Sequence, residues 1–149
     1  MDAIRSYGAT PMLNRASMSS PLHRDEPAFV LTRVAGGRFD RYLKRFAEAA
    51  RAWNHPYLLR FDWEINGSWF PLGARAPGNS PAEFIAAWRH VHDLFTSAGA
   101  TNASWVWCPN VDFESKLVTL LDLYPGRDYV DWTSWTSTTA GHGGDPTAG

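Results

Sequence analysis

From Phe39 the apolar positions Phe39, Tyr42, Leu43, Phe46, Ala50 and Trp53 recur at three and four residues, with Arg41, Lys44, Arg45, Glu48 and Arg51 between them. Such a stripe, following Gly36-Gly37, predicts an amphipathic helix with one buried face. His55-Pro56 breaks the period, and the run Tyr57-Leu58-Leu59-Arg60-Phe61 then reads as a buried strand. Ser80-Pro81-Ala82-Glu83 is a capping box with proline at the first helical position, so a second helix starts there. Phe84, Ile85, Trp88, His92 and Phe95 line its inner face until Gly99 ends it. Ser104 to Pro109 reads as a further buried strand, Phe113 to Tyr124 as a third helix with Leu117, Leu120 and Leu121 inward, and Tyr129 to Trp135 as a strand after the turn Pro125-Gly126. Ala9 to Leu13 is a short apolar stretch read as the end of an earlier strand, and Asn14 to Pro27 as a polar loop.

Strands and helices in strict alternation imply parallel neighbours, arranged either as a doubly wound sheet or as a (β/α)8 barrel. Polar and aromatic residues gather just beyond the C-terminal strand ends: Glu64, Asn66 and Trp69 after one, Trp107, Cys108 and Asn110 at the next, Trp135 at the last. In a barrel those ends converge on one mouth, whereas a dinucleotide-binding sheet would show a glycine-rich turn after its first strand. The expected fold is therefore α/β, a partial (β/α)8 barrel whose N- and C-terminal strands are missing, because a whole barrel takes about 250 residues. Residues 1–135 form that partial domain in this reading, and 136–149, without apolar periodicity, read as an unstructured tail.

Size and composition narrow the partners. In 149 residues, 44% hydrophobic and 14% aromatic, there is material for one real core. Fourteen basic against fifteen acidic residues leave a net charge of −1 and no basic stripe, which disfavours nucleic acid and anionic membranes. The lone Cys108 excludes an internal disulfide and reads as a small buried filler. Met1 to Ser20 lack the apolar core of a signal peptide, and no apolar run reaches membrane-spanning length. His90 and His92, two apart on a helix, fail the spacing a metal needs, so neither a metal nor another cofactor is expected.

The chemistry-bearing segment is Arg60 to Gly73, Arg-Phe-Asp-Trp-Glu-Ile-Asn-Gly-Ser-Trp-Phe-Pro-Leu-Gly, which sets Glu64 among aromatic rings just past a strand. Ring faces suit the C–H faces of a pyranose, side-chain amides suit its hydroxyls, and a carboxyl among apolar groups is suited to proton donation. Glu64 is the candidate acid/base. Trp69 and Phe70 are candidate sugar platforms, with Asn66, Trp107, Asn110 and Arg60 as further candidate substrate-binding residues at the mouth. Asn66 also suits holding the loop by side-chain hydrogen bonds, and Arg60 or Asp62 a strand-end ion pair. Trp53 and Trp88 belong to helical core stripes. A lone acid after a strand is more often a solvated loop residue, so Glu64 depends on its surroundings.

Those surroundings resemble glycoside hydrolase family 26. The blocks that carry the resemblance are Gly8 to Met12, Gly37 to Asp40, Arg60 to Pro71, Ala87 to Phe95, Gly99 to Asn102, Trp105 to Asn110, Tyr124 to Gly126 and Tyr129 to Trp132. The resemblance implies a (β/α)8 barrel, an endo-acting β-mannanase-like glycosidase with a retaining two-glutamate mechanism, a β-mannan or related plant-type β-glycan as partner, and secretion. It places the acid/base at Glu64 and a sugar-stacking tryptophan at Trp69. Trp63 stands where family members commonly have histidine. The family's nucleophile glutamate lies on a later strand, so this chain is expected to lack it and to be nearly inactive alone. Asp62, Asp112 and Asp131 are poor substitutes by their expected positions. A non-catalytic carbohydrate-binding barrel fragment is the alternative. Family sequences continue past Trp135 with Asp-x-Tyr-Asn, which a one-base shift of reading frame at that tryptophan codon permits. The tail is therefore read as a frame-shifted end, with a genuine linker or a simply truncated fragment as the alternatives.

Overall fold

The computed structural model describes residues 1–18, 27–67, 69–111 and 118–136. Four strands, β1 (Met12–Arg15), β2 (Tyr57–Phe61), β3 (Ala103–Trp107) and β4 (Trp132–Thr133), form one sheet in the order β1-β2-β3-β4, each pair parallel. Spatial order follows chain order without the reversal that makes the crevice of a doubly wound sheet. Helices α1 (Asp2–Ser6), α2 (Leu31–Ala35), α3 (Asp40–Trp53) and α4 (Pro81–Ser97) complete the architecture, α3 leading into β2 and α4 into β3.

The two long helices form where their patterns place them. Ser80 Oγ accepts from the Glu83 backbone N–H at 3.3 Å, capping α4 behind Pro81. Asn54, in the left-handed region at φ 53°, ends α3. Asn102 Nδ2 then donates to the carbonyls of Ala50 and His55, both at 2.9 Å, tying the end of α3 to the approach of β3. Along β2, Tyr57, Leu59 and Phe61 are buried under the helices while Leu58 and Arg60 point to the other face. Trp88 anchors this side: its ring meets Phe61, Phe84 and Trp105, and its Nε1 donates to Tyr129 O at 2.9 Å. Trp53, by contrast, is half-buried, and its indole N–H reaches Asp2.

Several expectations need correction. Tyr42 leaves the buried stripe and is 50% exposed, its ring lying 4.6 Å from the Arg15 guanidinium, while Leu43, Ala47 and Ala50 fill the seam and Phe39, Phe46 and Trp53 pack on the core from its edges, partly buried. Of the third helix expected over Phe113 to Tyr124, 113–117 lie outside the described residues, and the described part holds a 3-10 turn at Leu121–Leu123. Its three-residue spacing turns Leu120 and Leu123 inward and leaves Leu121 84% exposed. The Asp122 carboxylate accepts from the Thr119 N–H while Thr119 Oγ1 accepts from the Asp122 N–H, a reciprocal cap that starts this turn at Leu120 rather than earlier. The strand expected over Tyr129 to Trp135 pairs regularly only at Trp132–Thr133, with a second 3-10 turn at Arg127–Tyr129 before it and a single bridge from Asn110 to Thr136 after it. β1 begins later than the apolar stretch suggested, and α1 and α2, five residues each, were too short to show a period. Of the expected polar loop, 19–26 lie outside the described residues, as do 137–149 of the expected tail. Among the described residues no helix is long and apolar enough to cross a membrane.

Candidate active site

β2 ends at Phe61, and the backbone then makes two excursions into the left-handed region, at Asp62 (φ 42°) and Glu64 (φ 55°). Non-glycine residues enter that region only where the surroundings compel them, and such residues gather at functional sites. At Asp62 the compulsion is a pair of bonds to the end of β1: its N–H donates to Arg15 O at 2.9 Å, and its Oδ1 accepts from the Ser17 N–H at 2.6 Å. The carboxyl is buried, and burial pushes its pKa up to about 7 against the pull of the Ser17 bonds and of Arg15. Asp62 Oδ2 and Arg15 Nε are buried without a hydrogen-bond partner among the described residues. Neither Arg60 nor Asp62 takes part in an ion pair among the described residues.

Glu64 is held by a different strand. Its N–H donates to Cys108 O at 2.8 Å, just past the end of β3, and its carbonyl accepts from the Gly67 N–H at 2.9 Å. Asn66 completes the junction: Nδ2 donates to Asn110 O, and Oδ1 accepts from the Asn110 N–H, both at 2.8 Å. Asn66 and Asn110 are buried, Asn110 at 0% exposure, which leaves them no open surface for a sugar. The loop closes with Ala74 N–H on Ile65 O at 2.9 Å. Asn79 braces it, donating to the carbonyls of Pro71 and Gly73 while its Oδ1 accepts from Leu31 N–H at the start of α2.

The Glu64 side chain is half-buried, and Trp69 Nε1 donates to its Oε2 at 2.7 Å. Trp69 keeps 42% of its surface open. Beside this pair Arg60 lies over the Trp63 ring at 5.5 Å, and Trp63 meets Phe70 edge to face at 5.7 Å. Arg60 is fixed from its other side by Asn14 Oδ1 at 2.8 Å and by Cys108 Sγ at 3.5 Å. Trp107 is nearly buried against Tyr124 and Trp135, with its Nε1 unpartnered among the described residues. The structure thus brings Glu64, Trp69, Arg60, Trp63 and Phe70 together at the C-terminal end of β2, and sets Asn66, Asn110 and Trp107 behind or beside them. Asp131, at the start of β4, spends its carboxylate on the Trp105 N–H at 2.7 Å. Sequence reasoning did not find the Ser17–Asp62 clamp or Asn79; the Gly78-Asn79-Ser80-Pro81 turn before a capped helix was a signal for the second. Among the described residues no group of three or more His, Cys, Asp or Glu is placed to hold a metal.

Comparison with known proteins agrees with this geometry. The family model described as glycosyl hydrolase family 26 matches residues 3–136. Endoglucanase H of Acetivibrio thermocellus is 38% identical over 103 residues, 68% of this chain and 11% of that protein. Mannan endo-1,4-beta-mannosidase of Bacillus subtilis is 26% identical over 133 residues, 83% of this chain and 36% of that one. Among solved structures, the catalytic domain of the endo-beta-1,4-mannanase from Bacillus sp. JAMB-750 superposes with a TM-score of 0.72 at 23% identity, covering 90% of this chain and 38% of that one. A Cellulomonas fimi endo-beta-1,4-mannanase double mutant gives 0.71 at 22% identity, covering 89% and 32%. These likenesses show the fold: the four parallel strands correspond to part of a (β/α)8 barrel, with the Glu64 loop at the C-terminal strand ends. The chain spans 11% and 36% of the length of the two curated relatives.

Proposed function

Because this chain belongs to glycosyl hydrolase family 26, we propose that it is part of an endo-acting, retaining β-mannanase-like glycosidase in which Glu64 is the acid/base. The observation that carries the reading is the Glu64 carboxyl beside the open Trp69 ring at the end of β2, inside the matched residues. Glu64 protonates the glycosidic oxygen as the C–O bond breaks, and then takes a proton from the water that releases the glycosyl-enzyme. Trp69, Phe70 and Arg60 contact the sugar, while Asn66 and Asn110 hold the Glu64 loop at the right distance from β3. β-Mannan is the proposed substrate, since one relative and both solved structures named above are called mannanases or mannosidases. Such a polymer is met outside the cell, which is where this reading puts the protein.

Retaining chemistry needs a second carboxyl about 5–5.5 Å from the first. Among the described residues, Asp62, two residues from Glu64, and Asp131, just before β4, each give a carboxylate oxygen to a backbone N–H. We therefore expect the 149-residue chain to release few reducing ends from mannan, and that same observation favours the second reading, carbohydrate binding without hydrolysis.

Affinity electrophoresis in soluble mannan tests the site: retardation that Trp69→Ala abolishes supports it, and mobility indifferent to mannan removes it. In an intact relative, glutamine in place of the glutamate that matches Glu64 should abolish cleavage of substrates with poor leaving groups and spare activated ones. Equal loss on both contradicts the acid role.

A further inference from the structure

We propose that Trp69 is a positioning residue for Glu64 as well as a sugar contact, and that Gly67 is what lets it act. The inference rests on the reading of Glu64 as the acid/base. It starts from an unusual pairing, because residues five apart in a loop have no standing reason to meet. They meet here because Glu64 is left-handed and its carbonyl accepts from Gly67 N–H, which folds the chain back so that the Trp69 indole N–H reaches Oε2 at 2.7 Å.

The return path runs over Gly67. A Cβ at that position would lie 2.3, 2.5 and 2.6 Å from Cζ2, Cε2 and Cη2 of Trp69, closer than real side chains approach. Cε2 is bonded to Nε1, so the part of the ring resting on Gly67 is the part that carries the donor. Nor is Gly67 free to retreat: a Cβ at Gly73 would lie 2.7 Å from the Gly67 carbonyl oxygen, so the two backbones already touch. Ring, loop and carboxyl are thus stacked in one fixed order, with the remaining surface of Trp69 facing outward.

The chemical consequence comes from the nature of an indole. Its N–H donates and cannot accept, so Oε2 must be an acceptor in both protonation states of Glu64. A carbonyl-type oxygen accepts better than a carboxylic O–H, so the indole favours the transferable proton on Oε1. It passes from Oε1 to the glycosidic oxygen as the anomeric C–O bond breaks and its electron pair goes to the leaving sugar. The same Oε1 later takes the proton of the water whose oxygen bonds to the anomeric carbon, as the glycosyl-enzyme ester bond breaks and its electron pair returns to the nucleophile carboxylate. The indole proton never leaves Trp69; its role is to fix which lone pair faces the substrate.

Nuclear magnetic resonance of the uniformly ¹³C,¹⁵N-labelled 149-residue chain tests this without any need for turnover. The chain has eight tryptophans, and the Trp69 indole signal is the one lost in Trp69→Phe. In the unmodified chain that signal should move with pH in one step. In Glu64→Gln it should lie upfield and lose the pH response. Gly67→Ala should produce the same upfield shift, and the Glu64 carboxyl carbon, one of five glutamate signals, should move in Trp69→Phe. A Trp69 signal that ignores both pH and Glu64→Gln overturns the proposal, whether or not the Gly67 variant folds. The two readings fail separately: coupling found in a protein that mannan does not retard sinks the glycosidase and keeps the pair, whereas mannan binding without coupling sinks only the pair.

Discussion

The helix-covered face of the sheet and the rim at its C-terminal end are built on opposite terms. On the covered face, Trp88, Phe84, Phe95, Leu59 and Phe61 pack ring against ring and chain, and the Trp88 indole N–H has its carbonyl. At the rim two non-glycine residues are left-handed, a carboxyl is buried, and Arg15 Nε, Asp62 Oδ2, Trp107 Nε1, Ser134 Oγ and Thr136 Oγ1 are buried without partners among the described residues. Unpaired buried polar atoms and strained backbone both cost stability. Tyr57 OH and Asn102 Oδ1 are also unpartnered among the described residues and Asn54 is also left-handed, but the larger share of both features lies at the C-terminal end of the sheet. The packed face therefore holds the fold while the rim is shaped for something else, as local rules commonly yield at functional sites.

The contrast is most open to attack at Trp88. Trp88→Ala should cost about 3–5 kcal/mol by denaturant titration, and a loss under about 1 kcal/mol would mean that the covered face does not carry the stability assigned to it.

Asp62 tests the rim's side. Its pKa rises from 3.8 in the ordinary state to about 7 when folded, so between those values the folded chain keeps a proton that the unfolded chain has released. Its stabilising contribution is therefore full below the ordinary value and lost as pH climbs to about 7. Asp62→Asn, which keeps an acceptor for Ser17 and tolerates φ 42°, should remove that decline. Relative to the unmodified chain, the variant should gain on the order of a few kcal/mol between pH 4 and pH 8. Parallel stability curves for the two proteins would show that the carboxyl is not where the strain lies.

A smaller effect separates the two regions by location. Asn66→Ala takes two bonds from Asn110, at about 1–3 kcal/mol. Amide exchange should quicken at Glu64 and Asn110 and stay unchanged along α4; quickening everywhere would make one cooperative unit of rim and covered face. Least of all, Ser80→Ala should cost about 1 kcal/mol by loss of the α4 cap, with no effect on mannan retardation.

The same division governs what could be read in the sequence. The start of α4 was legible to the residue because Ser80, Pro81 and Glu83 are local signals, while its inner face came out shifted, with Ala87, Val91 and Leu94 buried and Ile85 and His92 only partly so; α3 was legible as an element, with Tyr42 on the side of the helix the packing left open. Parallel order followed from alternation alone. The short α1 and α2 carried no period, and Leu121 was misplaced because a 3-10 turn and an α-helix put adjacent leucines on different faces. At the site, Glu64 and Trp69 were legible as residue types, but their hydrogen bond was not, since it depends on one positive φ and on the space over Gly67. The Asp62 clamp joins residues 45 apart in sequence and left no local trace.

Asn79 ties three loosely related parts together: the far end of the Glu64 loop, the first turn of α2 and, one residue on, the cap of α4. Altering the length of the stretch between Gly73 and Asn79 would therefore reset the height of the rim above the sheet without touching either helix.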